Sequence, residues 1–162
     1  MGSKGEQAKL SMDYFKKAYS LQLNGHLDKA ALWFKKSIQQ KPSPEAYTFL
    51  GWIYGQKGLY ETAIEYCRKA IEINPDIGNP YNDIGAYLIR LKRFDEARQW
   101  LEKALQAPKY DNYCYAYFNL GHIYEIKGKW REALKYYKKA LTENPDYKAA
   151  KTAIDRLRGK FN

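Results

Sequence analysis

A pattern of aromatic, small and apolar residues returns about every 34 residues, and it leaves this chain few ways to fold. Tyr47, Leu50, Gly51, Tyr54, Ala63, Ala70 and Pro75 are matched by Tyr117, Leu120, Gly121, Tyr124, Ala133, Ala140 and Pro145. Both series have internal spacings of 3, 1, 3, 9, 7 and 5 residues. Self-similarity at such a period marks stacked repeats, which present an extended surface rather than enclose an active site.

Each part of the pattern has a physical reason. Tyr47, Leu50, Ile53 and Tyr54 fall on one helical stripe. Gly58 follows, where a helix end takes the left-handed conformation. Tyr60, Ala63, Ile64, Cys67, Ala70 and Ile71 form a second stripe, and Pro75 after Asn74 stops it. Gly51 and Ala63 are small where the paired helices approach. Helices of about 13 residues are too short to be secure alone in water, so stability must come from stacking. In the third copy Lys92 takes the place of Gly25, Gly58 and Gly128, and is expected to carry a positive φ. That copy also holds two extra residues around Ala107–Tyr113. They predict a longer connection from Pro108 to Asn112, Tyr110 or Tyr113 packed over the joint, and a next helix that starts before Cys114.

These residues resemble the tetratricopeptide repeat (TPR) family, whose signature is W-x2-L-G-x2-Y, then A-x3-F, then P. Tyr47 and Tyr117 stand where that family often has Trp, and Cys67 stands at an aromatic position that Tyr137 fills in the last copy. Weaker copies hold Tyr81, Ile84, Gly85, Leu88, Ala97, Leu101 and Ala104, and Tyr14, Ala18, Leu21, Ala30, Phe34 and Pro42. The repeats run 11–43, 44–77, 78–113 and 114–147. Residues 148–162 read as a C-terminal capping helix and tail, with Ala149, Ala150, Ala153, Ile154 and Leu157 as its apolar stripe. Residues 1–10 read as a disordered N-terminal segment or an expression remnant. The resemblance implies an all-α fold: a TPR helical-hairpin solenoid, a right-handed superhelix of about nine helices.

Composition narrows the function. At 162 residues the chain is expected to form one compact unit with a continuous core. No stretch approaches the apolar length of a membrane span, and no apolar signal core opens the chain, so a cytoplasmic location is expected. Cys67 and Cys114 make no disulfide framework and read as small buried hydrophobes. His122 and Glu125, one turn apart, read as a solvated pair and do not complete a zinc set. No phosphate loop, carboxylate pair or nucleophile motif is present, so neither an enzyme nor a cofactor is expected. The net charge of +10 is concentrated at the ends, with +5 in residues 1–43 and +4 in 148–162. No single basic stripe with interleaved aromatics runs through the chain, which argues against specific nucleic-acid binding.

In the family that this sequence resembles, the outward stripe of each first helix lines a concave groove that binds peptides. Carried over residue by residue, the groove here comprises Phe15, Tyr19, Thr48, Trp52, Gln56, Asn82, Arg90, Tyr115, Phe118 and His122. Trp52 is the expected anchor, Asn82 a backbone holder and Arg90 a carboxylate contact. The carboxylate clamp of chaperone-binding relatives does not match. Its cation and amide positions hold Phe15, Tyr19, Phe49, Asn79 and Asp83, or Thr48, Trp52, Asp83, Tyr115 and Asn119, and Asp83 would repel an anion. The expected role is a scaffold or adaptor for a protein or peptide segment. Two alternatives stay open: a self-associating assembly module, and a basic adaptor at a membrane surface.

Overall fold

A computed structural model of the chain describes residues 3–160. Among these the backbone forms nine helices and no strand, so the expected all-α class is the observed one. The chain divides into two compact units, Met1–Pro75 and Asp76–Asn162, rather than the single unit expected from its length. The division falls after Pro75, two residues before the end of the second repeat. Contacts in a repeat array are local in sequence, so each half carries a core of its own.

The first unit holds α1 (Lys4–Leu23), α2 (Leu27–Gln40), α3 (Pro44–Gln56) and α4 (Tyr60–Ile73). The expectation of disorder over 1–10 fails for residues 4–10, which form the start of α1. Ser3 caps that helix: its Oγ accepts from the Glu6 amide at 3.2 Å, and its own amide donates to Glu6 Oε2 at 2.6 Å. This reciprocal box satisfies two amides that would otherwise be orphaned. Met1 and Gly2 lie outside the described residues. The core gathers Ala18, Ala30, Phe34, Ala46, Leu50 and Ile53. Phe34 and Phe49 stack with centroids 5.3 Å apart. One polar pair is buried with them. Ser11 Oγ donates to the Ser37 carbonyl at 3.0 Å, and Ser37 Oγ donates to the Ser11 carbonyl at 2.8 Å.

The second unit holds α5 (Asn79–Arg90), α6 (Phe94–Gln106), α7 (Tyr113–Ile126), α8 (Trp130–Glu143) and α9 (Lys148–Arg158). Helix α9 lays Ala153, Ile154 and Leu157 against Ala133 and Tyr137 of α8. Ala149, assigned to its apolar stripe, is exposed instead. Phe161 and Asn162, the end of the expected tail, lie outside the described residues.

The small residues sit where two helices touch. A Cβ built on Gly51 would lie 2.7 Å from Cys67 Sγ, and one on Gly121 would lie 2.7 Å from the Tyr137 ring. Lys92 adopts φ 59°, as its place in the turn predicts, beside Gly128 at 70°.

The connection from Ala107 to Asn112 is long, as the two extra residues require, and α7 starts at Tyr113, before Cys114. It is pinned to the start of α5. Gly78 N–H donates to the Lys109 carbonyl at 3.0 Å, and Lys109 N–H donates to the Asp76 carbonyl at 2.9 Å. Tyr110 is buried beneath this joint, and Tyr113 meets it edge-on at 5.2 Å. Gly78 leaves the space that the Tyr110 ring fills: a Cβ there would lie 2.3 Å from Tyr110 Cβ.

Candidate partner-binding surfaces

In the first unit the proposed groove residues separate into two kinds. Phe15 belongs to the core, edge-on to Phe34 at 5.4 Å and to Phe49 at 5.7 Å. Thr48 is partly buried, and its hydroxyl donates to the Pro44 carbonyl at 2.8 Å. Tyr19, Trp52 and Gln56 remain exposed. Tyr19 is 41% exposed and rests edge-on against Phe49 at 5.4 Å, and Trp52 is 37% exposed. Thr48, Trp52 and Gln56 are each four residues apart, hence on one face of α3. A cleft of about 290 Å³ opens near the N-terminus of α3, between Met12, Phe15, Lys41 and Glu45.

The second unit corrects three readings. Asn82, read as an outward amide, is 9% exposed. Its Oδ1 accepts from Asn119 Nδ2 at 3.1 Å, so α5 and α7 share a buried amide pair. Phe118 is half-buried, 5.3 Å from Tyr137 and from Tyr147. His122 and Glu125 are not a solvated pair. The Glu125 side chain is only 13% exposed, and its carboxylate accepts from Arg156 Nε at 3.0 Å, Arg156 Nη2 at 2.7 Å and Tyr137 OH at 2.6 Å. Burial pushes the Glu125 carboxyl upward, but these donors outweigh it and hold it below the ordinary glutamate range. Burial also holds the half-buried His122 imidazole below its usual value. Arg90 and Tyr115 lie on exposed positions, with Tyr115 44% exposed and edge-on to Tyr147 at 5.4 Å.

Sequence reasoning missed two features. The first is a triad in every repeat: an aromatic on the first helix, an aromatic 19 residues on, and a lysine three further. The ring pairs are Tyr14–Trp33, Tyr47–Tyr66, Tyr81–Trp100 and Tyr117–Tyr136, with centroids 5.2, 6.3, 5.9 and 6.4 Å apart. Lys36, Lys69, Lys103 and Lys139 lie 4.2, 5.6, 4.5 and 5.4 Å over the second ring. Cation–π contacts of this kind add attraction at each ring pair, and Lys69 and Lys139 also reach the first-helix rings Tyr47 and Tyr117 at 5.8 and 5.4 Å. The constant spacing was a readable signal.

The second missed feature is Asp83 on α5. It is partly buried, and burial pushes its carboxyl up to about 7, with the Asn82 side chain pulling the other way through a hydrogen bond. Among the described residues no group of three or more His, Cys, Asp or Glu gathers as a metal set, and no helix is long and apolar enough to cross a membrane.

A family model described as tetratricopeptide repeat matches residues 76–142, and a second of the same description matches 44–77. Together they span more than half of the chain. BBSome complex member BBS4 of Bos taurus is 31% identical over 100 residues, 62% of this chain and 19% of that protein. The chain spans well under half the length of the curated relatives it matches. Among solved structures, Pseudomonas aeruginosa pilF superposes with a TM-score of 0.86 at 23% identity, covering 96% of this chain and 70% of its own. YrrB, described as a TPR protein with an unusual peptide-binding site, has a TM-score of 0.68 at 22% identity, covering 91% and 75%. At these identities the two structures speak for the fold alone.

Proposed function

Because the chain belongs to the tetratricopeptide repeat family, we propose that it is an adaptor that takes a peptide segment of a partner protein in a groove lined by the outward faces of α1 and α3. Protein–protein interaction is the kind of role that such repeats play. The observation that carries the finer reading is the exposure of Tyr19 and Trp52 on first-helix faces of one unit. Solvent-facing aromatics offer large apolar area at low entropic cost, which is the chemistry of interface anchors. Tyr115 offers a similar anchor in the other unit. No chemistry is assigned to the chain itself, and a ligand gripped by its C-terminal carboxylate is not part of this reading.

The test is selection of a displayed random 12-mer peptide library on the immobilised chain, followed by titration of the enriched peptides. Trp52→Ala is expected to weaken binding by about 2 kcal/mol or more, on the scale of interface hot spots, while the melting temperature holds. A collapsed melt with unchanged affinity per folded molecule would make Trp52 a structural residue. Light scattering distinguishes the rival: a chain that self-associates and enriches no peptide is an assembly module instead.

A further inference from the structure

Helix α8 carries positive charge at registers where the earlier second helices carry acids. The place of Asp28, Glu61 and Asp95 in the first three repeats is taken by Arg131 in the fourth. Four residues on, Leu32, Glu65 and Gln99 correspond to Lys135, and three further on Lys35, Arg68 and Glu102 correspond to Lys138. Asp28 and Asp95 have a task in the stack: they pair with Lys57 and Lys127 at the ends of the following first helices. Arg131 reverses that charge and makes no such bond. The first turn of a helix favours an acid, and Glu132 supplies one beside it. Neither the stack nor the helix end therefore accounts for Arg131.

The cations stand together. Arg131, Lys135 and Lys139 are each four residues apart, and Lys138 lies three residues from Lys135. All four are exposed, on the face of α8 opposite the buried Ala133, Tyr137 and Ala140. Like charges at these spacings repel and weaken a helix. Among the described residues, none of the four has a carboxylate partner. Between them opens a hollow of about 340 Å³, lined by the four cations with Leu134 and Thr142 and by no acid. That is the small end of ligand-sized sites, which run from roughly 300 to 1,000 Å³. One wall is fixed in advance, because Lys139 rests over the Tyr117 and Tyr136 rings, 5.4 Å from each.

We infer that this face of α8 is a second docking surface, whose occupant is an acidic segment of a partner protein with carboxylates that accept from Arg131, Lys135 and Lys138. Charge complementarity selects the occupant, since each carboxylate would relieve the repulsion among the cations and add charge-assisted hydrogen bonds. The face is roughly 16 Å long from Arg131 to Thr142, at about 1.5 Å per residue, which matches about five residues of extended chain. A planar lipid surface cannot enter a hollow, and the lining has no aromatic on which a base could stack. The surface lies on a second helix of the second unit, so it stands independently of the α1 and α3 groove.

The test is an anisotropy titration of the chain with fluorescein-labelled hexaglutamate, with hexaglutamine as the neutral control. Hexaglutamate is expected to bind, more weakly as salt rises, and hexaglutamine is not. Lys135→Gln combined with Lys138→Gln should weaken binding about tenfold, the scale of two exposed ion pairs, while the melting temperature holds. Lys16→Gln combined with Lys29→Gln removes the same charge from the first unit and should bind like the wild type. Trp52→Ala should also bind like the wild type. An equal loss in the Lys16 and Lys29 variant would reduce the effect to net charge and overturn the proposal. A loss in Trp52→Ala would move the acidic peptide to the groove and overturn it too. So would unchanged affinity in the Lys135 and Lys138 variant. Phosphatidylserine vesicles or a single-stranded oligonucleotide that bind where hexaglutamate does not would replace the acidic segment with a membrane or a nucleic acid. None of these failures touches the adaptor reading, which the peptide library and Trp52 decide.

Discussion

Repeats three and four lie in one unit and share their inward registers and their ring-pair triads, yet they differ in their turns, their connections and their sheltered acids. Ile84, Gly85 and Ala97 of the third correspond to Leu120, Gly121 and Ala133 of the fourth, and all six are buried. Asp83 of the third corresponds to Asn119 of the fourth. The fourth turns through Gly128 and ties its acid, Glu125, to Arg156. The third turns through Lys92, carries the longer connection, and holds its acid, Asp83, by a hydrogen bond from the Asn82 side chain. The difference teaches that the period governs packing, while departures from it gather in one repeat. Perturbed groups that packing does not require mark functional sites more often than chance.

The joint of the third repeat is where the comparison is easiest to break. Gly78→Ala forces a methyl group into the Tyr110 ring and should destabilise the protein by about 2–3 kcal/mol, the upper range for overpacking. A denaturant titration reads this directly, and a silent result would mean that Tyr110 is not packed there.

The two sheltered acids should then respond with opposite signs. Glu125→Ala strands the Tyr137 hydroxyl and Arg156, and should destabilise by about 2 kcal/mol at neutral pH. Since its folded pKa is depressed, the contribution of Glu125 is present above the ordinary glutamate value and fades as pH falls through the folded one. Asp83 runs the other way. Its folded pKa of about 7 lies above the ordinary 3.8, so ionisation opposes folding. That penalty is absent below pH 3.8, grows as pH rises toward 7, and is complete above it. Asp83→Asn should therefore stabilise the free protein at pH 8 by on the order of 1–2 kcal/mol, discounted for its partial exposure, and give no gain in acid. Melts of both variants from pH 4 to 8 check the pair. Destabilisation by Asp83→Asn at pH 8 would mean that its charge already has a partner.

The smallest expected effect sharpens the turn. Lys92→Gly relieves a left-handed residue and should stabilise by about 1 kcal/mol. A neutral or harmful outcome in thermal melts would show that the Lys92 side chain compensates for its own strain.

Legibility in the sequence followed the range of the interaction. Gly51, Ala63, Pro75 and their copies could be placed because helix stripes, turns and close approaches are decided within a few residues. The strained Lys92 and the long joint at Ala107–Asn112 were readable for the same reason. Outward positions were harder. Asn82 looked solvent-facing by helical period, but its partner Asn119 is 37 residues away. Arg156 lies 31 residues from Glu125, and no periodicity links them. Phe15 sits on the outward stripe of α1, but Phe34 and Phe49 enclose it from the following helices. The Ser3–Glu6 capping box was a local signal, and it contradicts the polarity of residues 1–10.

The lysine-topped ring pairs have a consequence for how such a chain can change over generations. Each repeat carries its own clasp, one ring on each of its two helices and a lysine above them, with no member borrowed from a neighbour. A duplicated or transplanted copy arrives already fastened. Mutation is then free to explore exposed positions such as 52 and 115, which belong to no clasp.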